Sequence, residues 1–468
     1  MTVSPPSPTP SPTLDARPGL RRALGPAGLT VVCSSALFIS SLDVTVVNVA
    51  LPSLHARLSA GPAQLQWIVD AYTLTLAVLL LLGGALGDRL GRRALFRAGL
   101  GLFGLGSLGC ALSTSPGMLI AVRVVQACGA ALLQPNALST ITTAIDDPRQ
   151  RARAIGVWAG VFGLAAATGP LVGGLLIDTA GWRWIFLVNL PVVAAALLFS
   201  RRLPQTRSQA PRPLDLPGLA LAGATIFGVT YLLIEGAHTG YDSPGPLAAA
   251  ALACVAAAGF VLLERRRAHP LFPLPLARHR SFAAAIAIAI LAFAILAGFL
   301  FTSSVYWQQA RHLSALRTGL ALLPATLGIA VISPVTGRLI HSLGSRMLLA
   351  AAGLALAVAA ILLIWSAADP DYLLIAAGYL ALGAGFGLAN PPITNTAVNG
   401  LPARQAGVAS ALATTSRQVG NTLGVAVLAT ITAQDLHGPT AAELRACWTI
   451  TLAAALAITA LALSTPRQ

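Results

Sequence analysis

The chain contains no lysine: all thirty of its basic residues are arginine, a bias that fits a GC-rich bacterial genome. Without lysine there is no G-x-x-x-x-G-K-[ST] phosphate loop and no Schiff-base amine, so ATP-driven pumping by this chain alone is excluded. Charge is scarce as well. Only 10% of residues are charged, against about 25% in soluble domains, so water is not the main solvent. The five cysteines (33, 110, 128, 254 and 447) form no C-x-x-C pair, which leaves neither a disulfide framework nor a zinc site. The seven histidines lie in loops or at span ends without a spacing such as H-E-x-x-H, and no metal is expected. The opening MTVSPPSPTPSPT lacks the basic n-region of a signal peptide and is rich in proline, so residues 1–27 read as a disordered cytoplasmic tail. Period-two alternation is missing too, which argues against membrane strands.

What is present is apolar. Hydrophobic residues make up 56% of the 468 positions, and runs of roughly 20 residues, enough to cross a hydrocarbon core of about 30 Å, recur along the chain. Reading them between Arg-, Pro- and Asp-marked breaks gives fourteen helices between residues 28 and 464, the first over 28–52. Loops after even-numbered helices, with the two tails, hold 23 arginines and the opposite loops five. That asymmetry predicts a multi-pass protein of the bacterial inner membrane with both termini in the cytoplasm. Trp67, Trp182, Trp184, Trp307 and Trp448 fall near the outer helix ends, where indoles favour the interface. The net charge of +15 is thereby explained by topology, and no nucleic-acid partner is expected.

An internal repeat divides these spans. Gly84–Arg93 matches Gly337–Arg346 at an offset of 253, Gly156, Gly169 and Gly173 match Gly407, Gly420 and Gly424 at 251, and Gly129–Pro135 matches Gly385–Pro391 at 256. Partners lie eight helices apart, so two six-helix halves, 28–200 and 282–468, flank a linker, 201–281, with two inserted helices. Parallel repeats of this kind place a solute site between the halves near the midplane.

Four segments carry chemistry. Asp43, in Leu42-Asp43-Val-Thr45-Val-Val-Asn48, sits nine residues before Pro52, about 13 Å inside the expected helix end; an intramembrane carboxylate is either functional or a structural bond to neighbouring helices. Arg123, in Arg123-Val-Val-Gln126, lies at similar depth, within reach of pairing with Asp43. Gly84, Asp88, Arg89, Gly91, Arg92 and Arg93 form a turn whose charges make bonds in one conformation and break them in another, or which merely sets topology. Gly156, Gly169, Pro170, Gly173 and Gly174 allow close helix contact and a bend. Two further residues stand out. Asp70 is a second outer-half carboxylate, unless it is exposed at the interface. Arg417, near the midplane, either faces an anionic group or ties helices together. Gly99-x-Gly101-x-x-Gly104 matches a dinucleotide fingerprint, but it lies inside an apolar span without a preceding strand and reads as helix packing.

These segments resemble the major facilitator superfamily, and within it the fourteen-helix drug:proton antiporter branch of EmrB/QacA-like multidrug efflux transporters. Gly87 and Ala127 stand where that pattern has Ala and Gly, and Ala165 replaces the second glycine of the antiporter motif. The resemblance implies an all-α membrane fold and alternating access. It also implies a proton gradient instead of a cofactor, and export of a lipophilic, often cationic compound such as a drug, antibiotic or secondary metabolite. The outer-half proton site is then centred on Asp43 and coupled to Asp70 and Arg123, with Asn48 and Arg417 as further proton or substrate residues; protons, solute and membrane lipids are the partners, and a monomer the working unit. A proton symporter or facilitator that imports its solute shares this architecture; a membrane-embedded enzyme or scaffold is the other class, though no nucleophile-base pair is apparent.

Overall fold

A computed structural model describes residues 24–207, 215–267, 279–367, 370–398, 403–432 and 438–465. The expected tail, apart from residues 24–27, and Arg212, Arg278 and Arg467 lie outside the described residues, as do the side chain of Arg404 and the surroundings of Gly407. Among the described residues there are fifteen α-helices, one π-helical turn and no strand. Among the described residues eleven helical spans are long and apolar enough to cross a membrane, the kinked helix Leu323–Ser366 counting as two.

The helices are α1 (Pro26–Leu58), α2 (Pro62–Leu90), α3 (Arg92–Leu112), α4 (Pro116–Ala144), α5 (Pro148–Ala180), α6 (Trp184–Leu187) and α7 (Asn189–Ser200). There follow α8 (Leu216–Thr239), α9 (Pro244–Arg266) and α10 (Arg280–Val305), which ends in the π-turn Tyr306–Ala310, and then α11 (Ala315–Ala321), α12 (Leu323–Ser366), α13 (Tyr372–Val398), α14 (Ala403–Thr432) and α15 (Ala441–Ser464). Proline opens α1, α2, α4, α5 and α9, where its fixed φ suits the first turn and its missing N–H costs nothing. Inside α1, however, Pro52 does not stop the helix, which runs on to Leu58. It removes only the N–H that would bond the Asn48 carbonyl, a loss that membrane helices tolerate when neighbours cover the gap. Asp43 therefore lies near the middle of α1.

The repeat is visible in backbone and packing. Gly91, at the end of α2, has φ 103°, and its repeat partner Gly344, the kink inside α12, has φ 73°. Both turns reverse the chain in a conformation that disfavours any residue with a Cβ. Gly169 and Gly173 of α5 press on Thr45 and Val46 of α1, and their partners Gly420 and Gly424 press on Ile290 and Ala294 of α10. The two halves meet along matching seams as well. Helix α2 packs on α14, while α5 packs on α11 and α12. Because α2 corresponds to the first part of α12, and α5 to α14, each seam is the image of the other. Helices α8 and α9 pack on one another, and α8 lies over the α2/α14 seam.

Candidate functional site

The halves leave a small, partly open cavity between them. Ser41, Thr45 and Asn48 of α1, Thr73 of α2, Gln134 of α4 and Gln418 and Asn421 of α14 supply its polar wall, with Phe293, Leu296 and Leu300 of α10 opposite. Residues 41, 44, 45 and 48 recur at helical spacing and define the α1 face turned to the cavity. Ser41 is 5% exposed and Asn48 3% exposed, and neither the Ser41 hydroxyl nor the Asn48 Oδ1 has a hydrogen-bond partner. The cavity thus offers unspent hydrogen-bonding groups to whatever fills it.

Asp43 points away from this cavity, into the N-terminal half. Arg123 pairs with Asp43 Oδ2, both side chains being at most 1% exposed. Gln126 Nε2 donates to Asp43 Oδ1 at 2.8 Å and Asn189 Nδ2 to the same oxygen at 3.3 Å. Arg123 also donates to Gln126 Oε1 (2.8 Å) and, through Nε, to the Ile68 carbonyl (3.1 Å), and its guanidinium lies 4.2 Å from the centre of the Tyr72 ring. Ser107 Oγ accepts from Gln126 at 2.9 Å and from Asn189 at 3.2 Å. One buried charge pair therefore ties α1, α2, α3, α4 and α7 together with its lone pairs and protons largely satisfied, the condition under which such a pair is tolerated.

Asp70 has a different environment. It is wholly buried in α2, its Oδ1 accepts a long 3.5 Å bond from Thr73, and its Oδ2 has no partner. No described arginine forms an ion pair with it. Thr73 in turn accepts a 2.9 Å bond from Thr422 of α14 across the seam between the halves. Thr73 lines the cavity, so a change at Asp70 is two bonds from the opposite half.

Arg417 of α14 donates to the Asn390 carbonyl (3.3 Å) and to Thr394 Oγ1 (2.6 Å) of α13. Its guanidinium lies 5.6 Å from the centre of the Phe293 ring, and its Nε is buried without a partner.

The arginine-rich turn is held within its own half. Arg92 pairs with Asp88 at 2.9 Å and donates to the Ser139 carbonyl and Thr143 Oγ1 of α4. Arg93 donates to the Leu203 carbonyl, and Gly91 abuts the Gln205 side chain. Gly84 touches Pro135 and Gly87 Asn136, both on α4. Arg89 makes further contacts.

Polar contacts between the halves cluster at the opposite end. Asp178, near the end of α5, accepts a 3.0 Å bond from the Leu316 N–H in the first turn of α11, a carboxylate at a positive helix terminus. Gln308 Nε2 donates to the Val49 carbonyl at 2.9 Å. Between them the backbones touch: a methyl at Gly174 would meet the Ala315 carbonyl, and one at Gly319 the Pro170 carbonyl. Gly169, Pro170, Gly173 and Gly174 thus all lie at close helix contacts, whereas Gly156 has open space beside it. Asp178, Gln308 and Asn189 escaped the sequence reading. The first two sit at span ends, where a polar residue carries no signal, and Asn189 acts only through partners on other helices.

The sequence model of the Major Facilitator Superfamily matches residues 33–425, and the chain belongs to that superfamily. It is accordingly a multi-pass membrane transporter and not an enzyme. It is 35% identical over 407 residues to the multidrug resistance protein Stp of Mycobacterium tuberculosis, covering 86% of this chain and 76% of that protein. It is also 35% identical over 408 residues to the methylenomycin A resistance protein of Streptomyces coelicolor, covering 87% and 86%. The fold matches that of the xylose transporter XylE from E. coli in a partially occluded inward-open conformation, with a TM-score of 0.64, 13% identity, and coverage of 92% of this chain and 98% of that one.

Proposed function

We propose that this transporter exports small lipophilic compounds of the drug, antibiotic or secondary-metabolite kind in exchange for protons, alternating access to the central cavity between the two sides of the membrane. Its relatives named for drug and antibiotic resistance support the direction. Adding α5, the α6–α7 pair and α14 to the eleven apolar helices gives fourteen spans, as in the EmrB/QacA-like branch. Halves 28–200 and 282–468 then rock about the matching seams, with 201–281 as the inserted linker. Both termini face the cytoplasm of a bacterial cell on the arginine count, and a single chain contains the whole pathway, so a monomer suffices.

The observation that carries the coupling is the contrast between two buried carboxyls. Asp43 is bound by three donors, one of them a cation. Asp70 has an unpartnered oxygen beside the cavity-lining Thr73. A buried carboxyl without a cation is tolerated far better with a proton than as an ion. The exchanged proton is therefore assigned to Asp70, with the Asp43–Arg123 pair as the fixed charge near it. Release of the Thr73–Thr422 bond as the halves separate exposes that carboxyl to one side.

In everted vesicles loaded with acid, addition of a transported solute dissipates the pH gradient. Asp70→Asn keeps the protein in the membrane and abolishes that release. Undiminished proton release from a well-expressed Asp70→Asn variant refutes the assignment, and an importer fails the test already in the wild type.

A further inference from the structure

The cavity wall is mostly apolar with a few neutral polar side chains and, among the described residues, carries no carboxylate. The two nearest carboxyls do not reach it: Asp43 is turned into the N-terminal half and Asp70 is wholly buried. A positive charge stands next to the wall on the side of the C-terminal half. Arg417 immediately precedes Gln418, which lines the cavity, and its guanidinium stands 5.6 Å from the centre of Phe293, whose ring forms part of the opposite wall. Its acceptors among the described residues are neutral, a backbone carbonyl and a threonine hydroxyl, and its Nε has none. No described carboxylate lies within ion-pairing distance. Arg123, the other arginine buried deep within the spans, has Asp43.

A guanidinium held inside the membrane without a counter-ion is costly, and the usual remedy is a buried acid beside it. Here that acid is missing, and the Phe293 ring beside the guanidinium forms part of the cavity wall. We propose that the solute supplies it: the transported class is an amphiphilic organic anion, an aromatic or polycyclic body bearing an ionised carboxylate, enolate or phenolate. The anionic group pairs with Arg417, the ring system lies against Phe293, Leu296 and Leu300, and a hydroxyl or amide on the solute is taken by Asn48 Oδ1 and the Ser41 hydroxyl. A lipophilic cation finds no partner in such a wall and meets repulsion from Arg417. The inference rests on the cavity's being the transport site, as in the export reading, and sharpens its substrate class.

Two xanthene dyes of similar ring skeleton and opposite charge test it. Fluorescein (anionic) and rhodamine 123 (cationic) are titrated by fluorescence polarisation onto the purified full chain in nanodiscs. Fluorescein is expected to bind at least tenfold more tightly. Arg417→Gln removes at least tenfold of that affinity and leaves rhodamine 123 binding unchanged or improved, while Arg417→Lys, which keeps the charge, recovers part of the loss and shows that the fold is intact. Tighter binding of rhodamine 123, binding of neither dye, or equal fluorescein affinity in wild type and Arg417→Gln overturns the proposal. Transport is read separately in everted vesicles. Fluorescein that binds through Arg417 yet is not moved by an imposed pH gradient leaves this assignment standing and sinks export, whereas gradient-driven movement of rhodamine 123 in preference to fluorescein does the reverse.

Discussion

Neutralising either member of the Asp43–Arg123 pair strands the other in a place at most 1% exposed. Arg123→Gln leaves Asp43 with only the amides of Gln126 and Asn189, neither of which carries charge. Asp43→Asn leaves the guanidinium with Gln126 Oε1 and the Ile68 carbonyl. Breaking a buried pair from one side costs about 3–5 kcal/mol, because the desolvated charge stays behind. If the two changes acted independently the double variant would lose about 6–10 kcal/mol, enough to unfold most proteins. The structure forecasts the opposite: with both charges gone, the two replacement side chains are neutral amides among neutral amides, and the double variant is no less stable than either single one. Equilibrium unfolding of the four purified proteins in mixed micelles measures the cycle, and a double variant that falls at the sum of the singles refutes the reasoning. The same proteins report on function. With the exchanged proton on Asp70, the double variant regains part of the coupled efflux that the singles lose; a stable double variant with no coupled efflux returns the proton to Asp43.

Asp178→Ala removes the carboxylate from the first turn of α11 and leaves no side-chain acceptor in its place. A hydrogen bond to a charged group contributes about 1.5–3 kcal/mol, so the equilibrium between the halves shifts at least about tenfold toward opening at that end; spin-label distances between Ala180 and Arg317 that do not lengthen refute it. At Gly91, whose φ is 103°, alanine costs about 1–2 kcal/mol by the sterics of the left-handed region, whereas Gly101→Ala, with nothing within 4 Å of the added methyl, leaves unfolding in micelles unchanged.

Legibility in the sequence followed from what each feature depends on. Offsets between motifs needed only the order of residues, so the correspondence of Gly91 with Gly344, and of Gly169 with Gly420, could be read before any packing was known. The pairing of Asp43 with Arg123 was suggested by depths counted along the helices, and the pair forms even though the end from which Asp43 was counted, Pro52, lies inside α1. Rotation about a helix axis is another matter. α1 is apolar almost all round, and a helix without a polar face gives no phase; nothing in the sequence said that Ser41, Thr45 and Asn48 turn to the cavity while Asp43 turns from it. Breaks inside apolar runs were equally silent. The stop at Val188 between α6 and α7 and the one at Leu322 before α12 are settled by packing and not by a charged loop, and Pro52, which looks like an end, is passed through.

The inserted pair makes the two seams unequal, and that bears on how the halves move. The α2/α14 and α5/α11 seams are images of one another, so an unadorned repeat would separate at either with similar ease. Helix α8 covers only the first. Trp67 Nε1 of α2 donates to Glu235 of α8 at 3.0 Å, and Thr430 of α14 donates to the Leu233 carbonyl of the same helix at 3.0 Å. Phe227 and Tyr231 of α8 complete an aromatic cluster with Trp67. A single helix thus holds one member of each half, and sliding at this seam strains bonds that have no counterpart at α5/α11. Asp70 lies on α2, under the braced seam, one turn from Trp67. Motion of the halves therefore reaches that carboxyl through a helix that is held on two sides, and release of the Thr73–Thr422 bond at this seam works against the α8 brace, which the α5/α11 seam lacks.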